Sequence, residues 1–419
     1  MLDNTGTRQL AYVVTIDNIT PIEGYDRVEL AHIMGWTVVV GKGEFNIGDP
    51  AIYFEIDSQL SEVEPFTNMS FLAKKHFKIK TQKMCGGNFS QGLLMSATNF
   101  GWNICGTGNG GDSVVHKGII ESDGTVHLVD DESKFLTKRL GVTYAEPADN
   151  KRKAPTVDKY KAMAQRHPKL FSKASIRWLM RRKWGKKLMF FFFGKKKDKK
   201  SDWPYWVKKT DEERVENMPW LFNSDSKETC IATEKIDGTS TTFTMRRRKW
   251  PLKNEFYICS RNVVLNDPNK PCFYDSNVYA EMAEKYHIKE KMESFLNTAF
   301  KNCEWITIQG ETYGAEIQKR DYSINEHNFM AFNFITSKDG RWNSSKMKVF
   351  LEHDFGIPCV PILDENYILP SSIEELRTYV DSDTSVIDGK MREGIVFRSQ
   401  DGLKSFKCVS PNYLLTYHQ

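Results

Sequence analysis

The chain has 419 residues, 40% of them hydrophobic, with 59 Lys and Arg against 54 Asp and Glu. At ~100–200 residues per domain that length implies two or three domains, and no apolar run approaches the ~18 residues of a membrane span. The polar start MLDNTGTRQL is no signal peptide, and eight cysteines without a CxxC pair or a histidine at zinc spacing argue against a disulfide framework or a metal cluster. A reducing, cytoplasmic setting and a monomer are expected.

Residues 1–145 read as β-rich. AYVVTIDNI, GWTVVVGKG, PAIYFEID and HFKIKTQKM are short, partly alternating runs separated by turn signals at Pro21, Gly24, Gly43, Gly48 and Gly86-Gly87. Such spacing predicts a small barrel, best matched by a five-stranded OB fold that binds nucleic acid, with use as a mere scaffold the bland alternative. The glycine-rich stretch 101–124 reads as a loop or an irregular hairpin.

Residues 146–203 form a basic linker or insertion. Residues 151–200 carry 19 of the 59 basic residues and two of the 54 acidic ones, a net of +17 that leaves −12 for the rest. A strip so basic on an acidic body implies a polyanion, nucleic acid or an anionic membrane surface. Leu170, Phe171, Ile176, Leu179, Met180 and Trp184 recur at roughly helical spacing, so part of it is expected to be an amphipathic helix. A helix docked by Trp178 and Phe190–Phe193 is the structural alternative.

Residues 204–419 mix strand-like runs (TTFTMRR, FYICSRN, WITIQGETY, FMAFNFIT, EGIVFRS, SFKCV) with helix candidates at Ser276–Phe300 and Ser372–Asp381. The pattern predicts α+β architecture on antiparallel sheets rather than βαβ units. Neither GxGxxG nor GxxxxGK[ST] occurs, so a Rossmann site and a P-loop are both excluded.

Lys235-Ile-Asp237-Gly238, Ser260-Arg261-Asn262, Gly310-Glu311, Phe329 to Phe334, Arg392-Glu393-Gly394 and Ser405-Phe406-Lys407 follow one another over ~175 residues. In order and spacing they resemble motifs I, Ia, III, IIIa, IV and V of the covalent nucleotidyltransferases, the superfamily of ATP-dependent DNA and RNA ligases and mRNA capping enzymes. The resemblance implies ATP as substrate, Mg2+ or Mn2+ as cofactor, and Lys235 as the nucleophile that forms lysyl-AMP. An amine attacks only when neutral, and lysine titrates near 10.4, so neighbouring cations and desolvation are expected to lower its pKa. Glu393 and Asp237 are implied metal ligands, directly or through water, and Gly238 lets the backbone pass close to the nucleotide. Glu311 is implied on the ribose, Phe332 on the adenine face, Glu234 near the exocyclic amine, Arg261 on sugar or phosphate, and Lys407 on the α-phosphate. Asn333 stands where relatives often carry an acid, and Lys404 does not replace the second lysine often found in motif V.

Only twelve residues follow Lys407, whereas DNA ligases and capping enzymes append an OB domain there. The β-rich segment instead precedes the catalytic motifs, and it and KTDEERVENMP (Lys209–Pro219) are similar to an RNA ligase branch with an N-terminal OB domain. What this implies is RNA repair: sealing of a 5′-phosphate to an adjacent RNA 3′-OH, at nicks in duplexes. The alternatives are a DNA ligase, a capping-type guanylyltransferase, or a non-enzymatic nucleic-acid-binding protein with a vestigial pocket.

Overall fold

The computed structural model describes residues 1–3, 6–106, 117–120, 126–129, 136–144, 174–180, 182, 189, 203–223, 229–266, 274, 276–320 and 322–418. It is a mixed α+β structure in which β-sheets dominate, as the sequence pattern predicts. Most of the basic strip 151–200 lies outside the described residues, apart from the helix Ala174–Met180, Arg182 and Met189. On that helix Trp178 is exposed, with the Arg182 guanidinium over its ring at 4.1 Å. Among the described residues no helix is long and apolar enough to cross a membrane.

Two of the three three-stranded antiparallel sheets among the described N-terminal residues come first in the chain. One runs Ala11–Thr15, Pro50–Phe54, Leu93–Met95; the other is the meander Asn18–Ile22, Tyr25–Ile33, Trp36–Gly41. In WTVVVG the period-2 pattern sends Trp36, Val38 and Val40 inward, where they meet Tyr12, Val14, Ile33 and Tyr53. HFKIKTQKM is a strand only over Thr81–Met84, paired with Asn88–Gln91. In the glycine-rich stretch, Asn103–Gly106 pairs antiparallel with Lys117–Ile120.

The C-terminal half carries two five-stranded sheets. The first has the order Glu213–Arg214, Ser405–Val409, Gly394–Ser399, Thr229–Lys235, Ile362–Ile368. The second has the order Glu255–Cys259, Thr239–Arg246, Trp305–Gly314, His327–Thr336, Gly340–Arg341. Helix Ile373–Asp381 covers the first sheet through Ile373, Leu376 and Val380, its N-terminus capped by Ser372. The expected single helix over Ser276–Phe300 is two, Val278–Lys285 and Ile288–Asn297. His287 separates them in the left-handed conformation (φ 52°), and this turn lets both helices lay apolar faces on the second sheet.

A helix that the sequence reading did not anticipate, Pro411–Tyr417, follows the last strand. Ser410 caps it, accepting from Tyr413 N at 3.1 Å, with Pro411 in the first turn. Leu414 on this helix and Val409 just before it pack into the core of the N-terminal β-region. The two halves also share a buried polar web. Trp36 Nε1 donates to Asn217 Oδ1 (2.7 Å), Asn217 Nδ2 to Glu213 (2.7 Å), and Arg214 Nη2 to Asp57 (3.0 Å).

Candidate active site

Strand Thr229–Lys235 lies between two others, and its residues Cys230 to Glu234 are buried. Lys235 is its last residue and opens into a cavity of about 450 Å³. The chain then turns through Asp237-Gly238 into Thr239–Arg246 of the second sheet, so the cavity lies where the two sheets meet. A Cβ on Gly238 would collide with the Thr312 carbonyl, and one on Gly394 with that of Cys408. Glycine at both places lets neighbouring backbones close on each other, bringing Glu311 and Lys407 to the cavity; at Gly238 the tight neighbour is thus the adjoining strand.

Lys235 Nζ donates to Glu393 Oε2 at 2.7 Å. Burial pushes the amine's pKa down, but Glu393, Glu311 and Asp237 outweigh it and the net shift is upward. That reverses the expectation of a depressed lysine: the residues closest to Lys235 are carboxylates. Burial, with Glu393 and Asp237 adding to it against Lys235, drives Glu311 up to about 8, and Glu393 is raised chiefly by burial too.

Asp237 is held from three sides. Its N–H donates to Tyr322 Oη (2.8 Å), Tyr413 Oη donates to its Oδ2 (2.8 Å), and His418 Nε2 lies 3.4 Å from Oδ2. Burial raises its pKa, but hydrogen bonding and charge from His418 and the charge of Lys235 prevail and hold it below the usual value. Behind both tyrosines is the fully buried Arg320, 4.2 Å above the Tyr322 ring, 5.7 Å from that of Tyr413, and paired with Asp388 at 2.7 Å.

The opposite wall is cationic. Arg261, in the turn after Glu255–Cys259, pairs with Asp211 and lies 4.9 Å over the Tyr144 ring. Lys407 Nζ, on Ser405–Val409, is 3.2 Å from Asp211 Oδ1, and burial, aided by Arg8, pushes it down to about 8. Lys404, by contrast, is exposed. Arg8, Asp57, Lys78, Lys80 and Tyr144 reach the cavity from the N-terminal region, which therefore forms part of its wall.

Of the FMAFNF aromatics, Phe329 and Phe334 are core residues, whereas Phe332 is half-buried and lines the cavity. Arg398 fixes the Phe332 carbonyl (2.7 Å) and pairs with Glu212 (3.1 Å). Glu234 is buried; its Oε2 accepts from Val386 N at 3.0 Å, while Oε1 has no hydrogen-bond partner among the described residues. A buried acceptor left over at a cavity wall suits a ligand's N–H. Asn333 instead ties the strands together, donating to Gln309 Oε1 at 2.9 Å.

The structure therefore brings Lys235, Asp237, Gly238, Arg261, Glu311, Phe332, Glu393, Lys407 and Glu234 to one cavity. Sequence reasoning missed Arg8, Asp211, Tyr413 and His418. For the last two a signal existed: Ser410-Pro411 is a helix-start pair that sets Tyr413 and His418 on the next turns. For Arg8 and Asp211, nothing local marks the role.

No group of three His, Cys, Asp or Glu side chains among the described residues is arranged to hold a metal. Glu393 and Asp237 remain a fitting pair of hard oxygen donors for a cation that takes its other ligands from phosphate and water.

A lysine, carboxylates and a cationic wall thus share one cavity between two largely antiparallel sheets, the first with one parallel pairing between Glu213–Arg214 and Ser405–Val409, and an OB-like β-region lies in front of them in the chain. The comparisons agree: residues 228–409 match the model of the RNA ligase family and residues 10–97 that of an OB-fold domain. Residues 228–409 are thus similar to the RNA ligase family. Naegleria gruberi RNA ligase with PPi aligns over 98% of this chain and 99% of its own, at TM-score 0.68 and 24% identity. A variant of that enzyme with ATP and Mn aligns over the same shares, at 0.67 and 23%. No curated protein matches the chain.

Proposed function

We propose that the protein is an ATP-dependent RNA ligase acting through lysyl-AMP. Lys235 Nζ attacks the α-phosphorus of ATP and pyrophosphate leaves. AMP then passes from Lys235 to an RNA 5′-phosphate, and an adjacent RNA 3′-OH attacks that phosphate, forming the phosphodiester and releasing AMP. The observation that carries this reading is one lysine, 2.7 Å from Glu393, between a carboxylate group and a cationic wall in a single cavity. The Naegleria enzyme, solved with ATP, AMP and Mn, supports ATP and a divalent cation as the ligands here.

Glu393 and Asp237 would hold the cation. Bound with phosphate oxygens and water, it would offset triphosphate charge and free the amine from its carboxylate partner. Glu311 is assigned to the ribose hydroxyls, Phe332 to the adenine face and Glu234 to the exocyclic amine, for which its unpartnered Oε1 is the supporting observation. Arg261 is assigned to sugar or phosphate and Lys407 to the α-phosphate, where positive charge stabilises the transition state. Residues 1–145 serve as the OB-like nucleic-acid-binding domain, 146–203 as a basic insertion and 204–419 as the adenylyltransferase domain of a monomer. Cys85, Cys259, Cys303, Cys359 and Cys408 are unbridged, which suits a reducing cytoplasm.

Incubation with α-labelled ATP tests the central step: the wild type should take up label and Lys235→Ala or Lys235→Arg should not. Undiminished labelling of the variants refutes the assignment. Nicks ending in a 3′ ribonucleotide should be sealed faster than all-DNA nicks, and equal rates would leave only a generic polynucleotide ligase. The strip 151–200 is assigned to the phosphate backbone. Deleting it should spare labelling and flatten log K against log salt by about 0.9 per lost contact. Flotation of the intact protein, but not the deletion, on anionic vesicles with unchanged salt slopes would instead mark a membrane tether.

A further inference from the structure

Asp211 has no part in the assignments above, yet it sits among three cations, two of which, Arg261 and Lys407, are assigned to sugar or phosphate. It precedes the short strand Glu213–Arg214 and its side chain is about 10% exposed. Three cations from three distant places in the sequence meet on it. Lys407 Nζ is 3.2 Å from Oδ1, Arg8 Nε is 3.3 Å from Oδ2, and Arg261 Nη2 also donates to Oδ2. Lys407, Arg8 and Arg261 hold the carboxyl well below its usual range against the opposing effect of burial, so it is ionised.

Three cations facing one small space repel one another, and the repulsion is strongest where little water screens it. A carboxylate among them removes that cost in the empty site. It also competes, because the N–H donors that reach Asp211 are those a phosphate would need. An acid is thus a poor choice if the pocket is built only to hold phosphate tightly, and a fitting one if an anion must also leave.

We propose that Asp211 is a built-in counter-anion of the phosphate pocket. It holds Arg8, Arg261 and Lys407 in place when the site is empty, and phosphate oxygens displace it from Lys407 and Arg261 when the site fills. Asp211 thereby limits the pocket's affinity for a phosphate-type anion and favours release of that anion. This rests on the reading of the cavity as an adenylyl-transfer site.

The probe is inorganic pyrophosphate, titrated calorimetrically into the full-length wild type and Asp211→Asn, with thermal melting to check folding. The amide keeps the shape and one acceptor but loses the charge. Asp211→Asn should bind pyrophosphate roughly tenfold more tightly, with KM for ATP and kcat of labelling both lowered. A residue that served only to orient the cations would give weaker binding on substitution. Equal or weaker binding, or no binding by either protein, overturns the proposal. If Asp211→Asn does not fold, a crystal of the wild type soaked with pyrophosphate decides: Asp211 should lie beyond hydrogen-bond reach of Lys407, and retention of all three contacts overturns it. Failure of the wild type to label with ATP would instead remove the adenylyl-transfer reading.

Discussion

Two buried charge clusters lie close together in this protein and are poised in opposite ways. At the contact between its halves, Glu55 is fully buried and meets the Met1 ammonium, Arg8 and Arg214 (3.7 Å). Burial alone would raise its pKa, but those cations outweigh it and hold Glu55 at about 2. Around Lys235 the ratio is inverted, one amine facing Glu393, Glu311 and Asp237, and two of those carboxyls are pushed up. The same side-chain types therefore make a settled structural joint in one place and an unbalanced site in the other. An imbalance of that kind is what an incoming cation or nucleotide can relieve.

The largest break in this contrast is expected at the unbalanced cluster. Asp237→Ala and Glu393→Ala should each lower ligation by ~10²–10³, the usual cost of removing an electrostatic catalytic group. Circular dichroism and melting should stay close to wild type, because neither carboxylate is needed to neutralise a buried cation cluster. If Glu393→Ala unfolds the protein, its role is structural and the contrast collapses.

Neutral isosteres sharpen the comparison through pH. Glu55 is depressed in the folded state, so its contribution is present above about 4.5 and lost as pH falls from there to about 2. Glu55→Gln should remove that acid-side dependence and destabilise at neutral pH by on the order of 3 kcal/mol, since it strands buried cations. Glu311 has the opposite sign. Its folded form keeps a proton between 4.5 and about 8 that the unfolded chain releases, so stability falls as pH rises through that window. Glu311→Gln should abolish this fall, leaving the variant more stable than wild type at pH 8 by on the order of 1 kcal/mol, the cavity's solvent reducing the effect. Urea midpoints from pH 3 to 9 measure both, and equal pH slopes in the two variants would show that the clusters are not differently poised.

The C-terminal half was legible because its candidate site residues lie in or beside strands marked by short motifs. Lys235 ends one strand, Glu311 and Lys407 lie within two others, and Glu393 immediately precedes a fourth. The α+β class followed from the mixture of alternating and helical runs. Lys235's environment was not legible, because the motif order identifies the residues around it without giving the balance of charge among them. The joint between the halves was hidden for a different reason. Arg8, Glu55, Asp211 and Asn217 are isolated polar residues, and only tertiary pairing over separations such as 203 residues gives them meaning. The break at His287 was masked by an uninterrupted helical pattern, since left-handed backbone at a histidine leaves no Gly or Pro mark.

The smallest effect concerns the element that touches both regions. Helix Pro411–Tyr417 puts Leu414 into the N-terminal core and Tyr413 Oη on Asp237, and Ser410 N donates to the Glu393 carbonyl at 2.9 Å. Its cap is the Ser410 hydroxyl, accepting from Tyr413 N, so Ser410→Ala leaves an unpaired N–H beside the tyrosine that orients Asp237. Loss of a cap costs ~1 kcal/mol, and a helix of seven residues holds little of its own stability against that. The variant should therefore show a slightly lower urea midpoint together with a few-fold slower label transfer, whereas Ser410→Thr, which keeps an acceptor, should restore both. A lower midpoint with an unchanged labelling rate would mean that the helix merely fastens the halves together, and that the joint and the site are energetically separate.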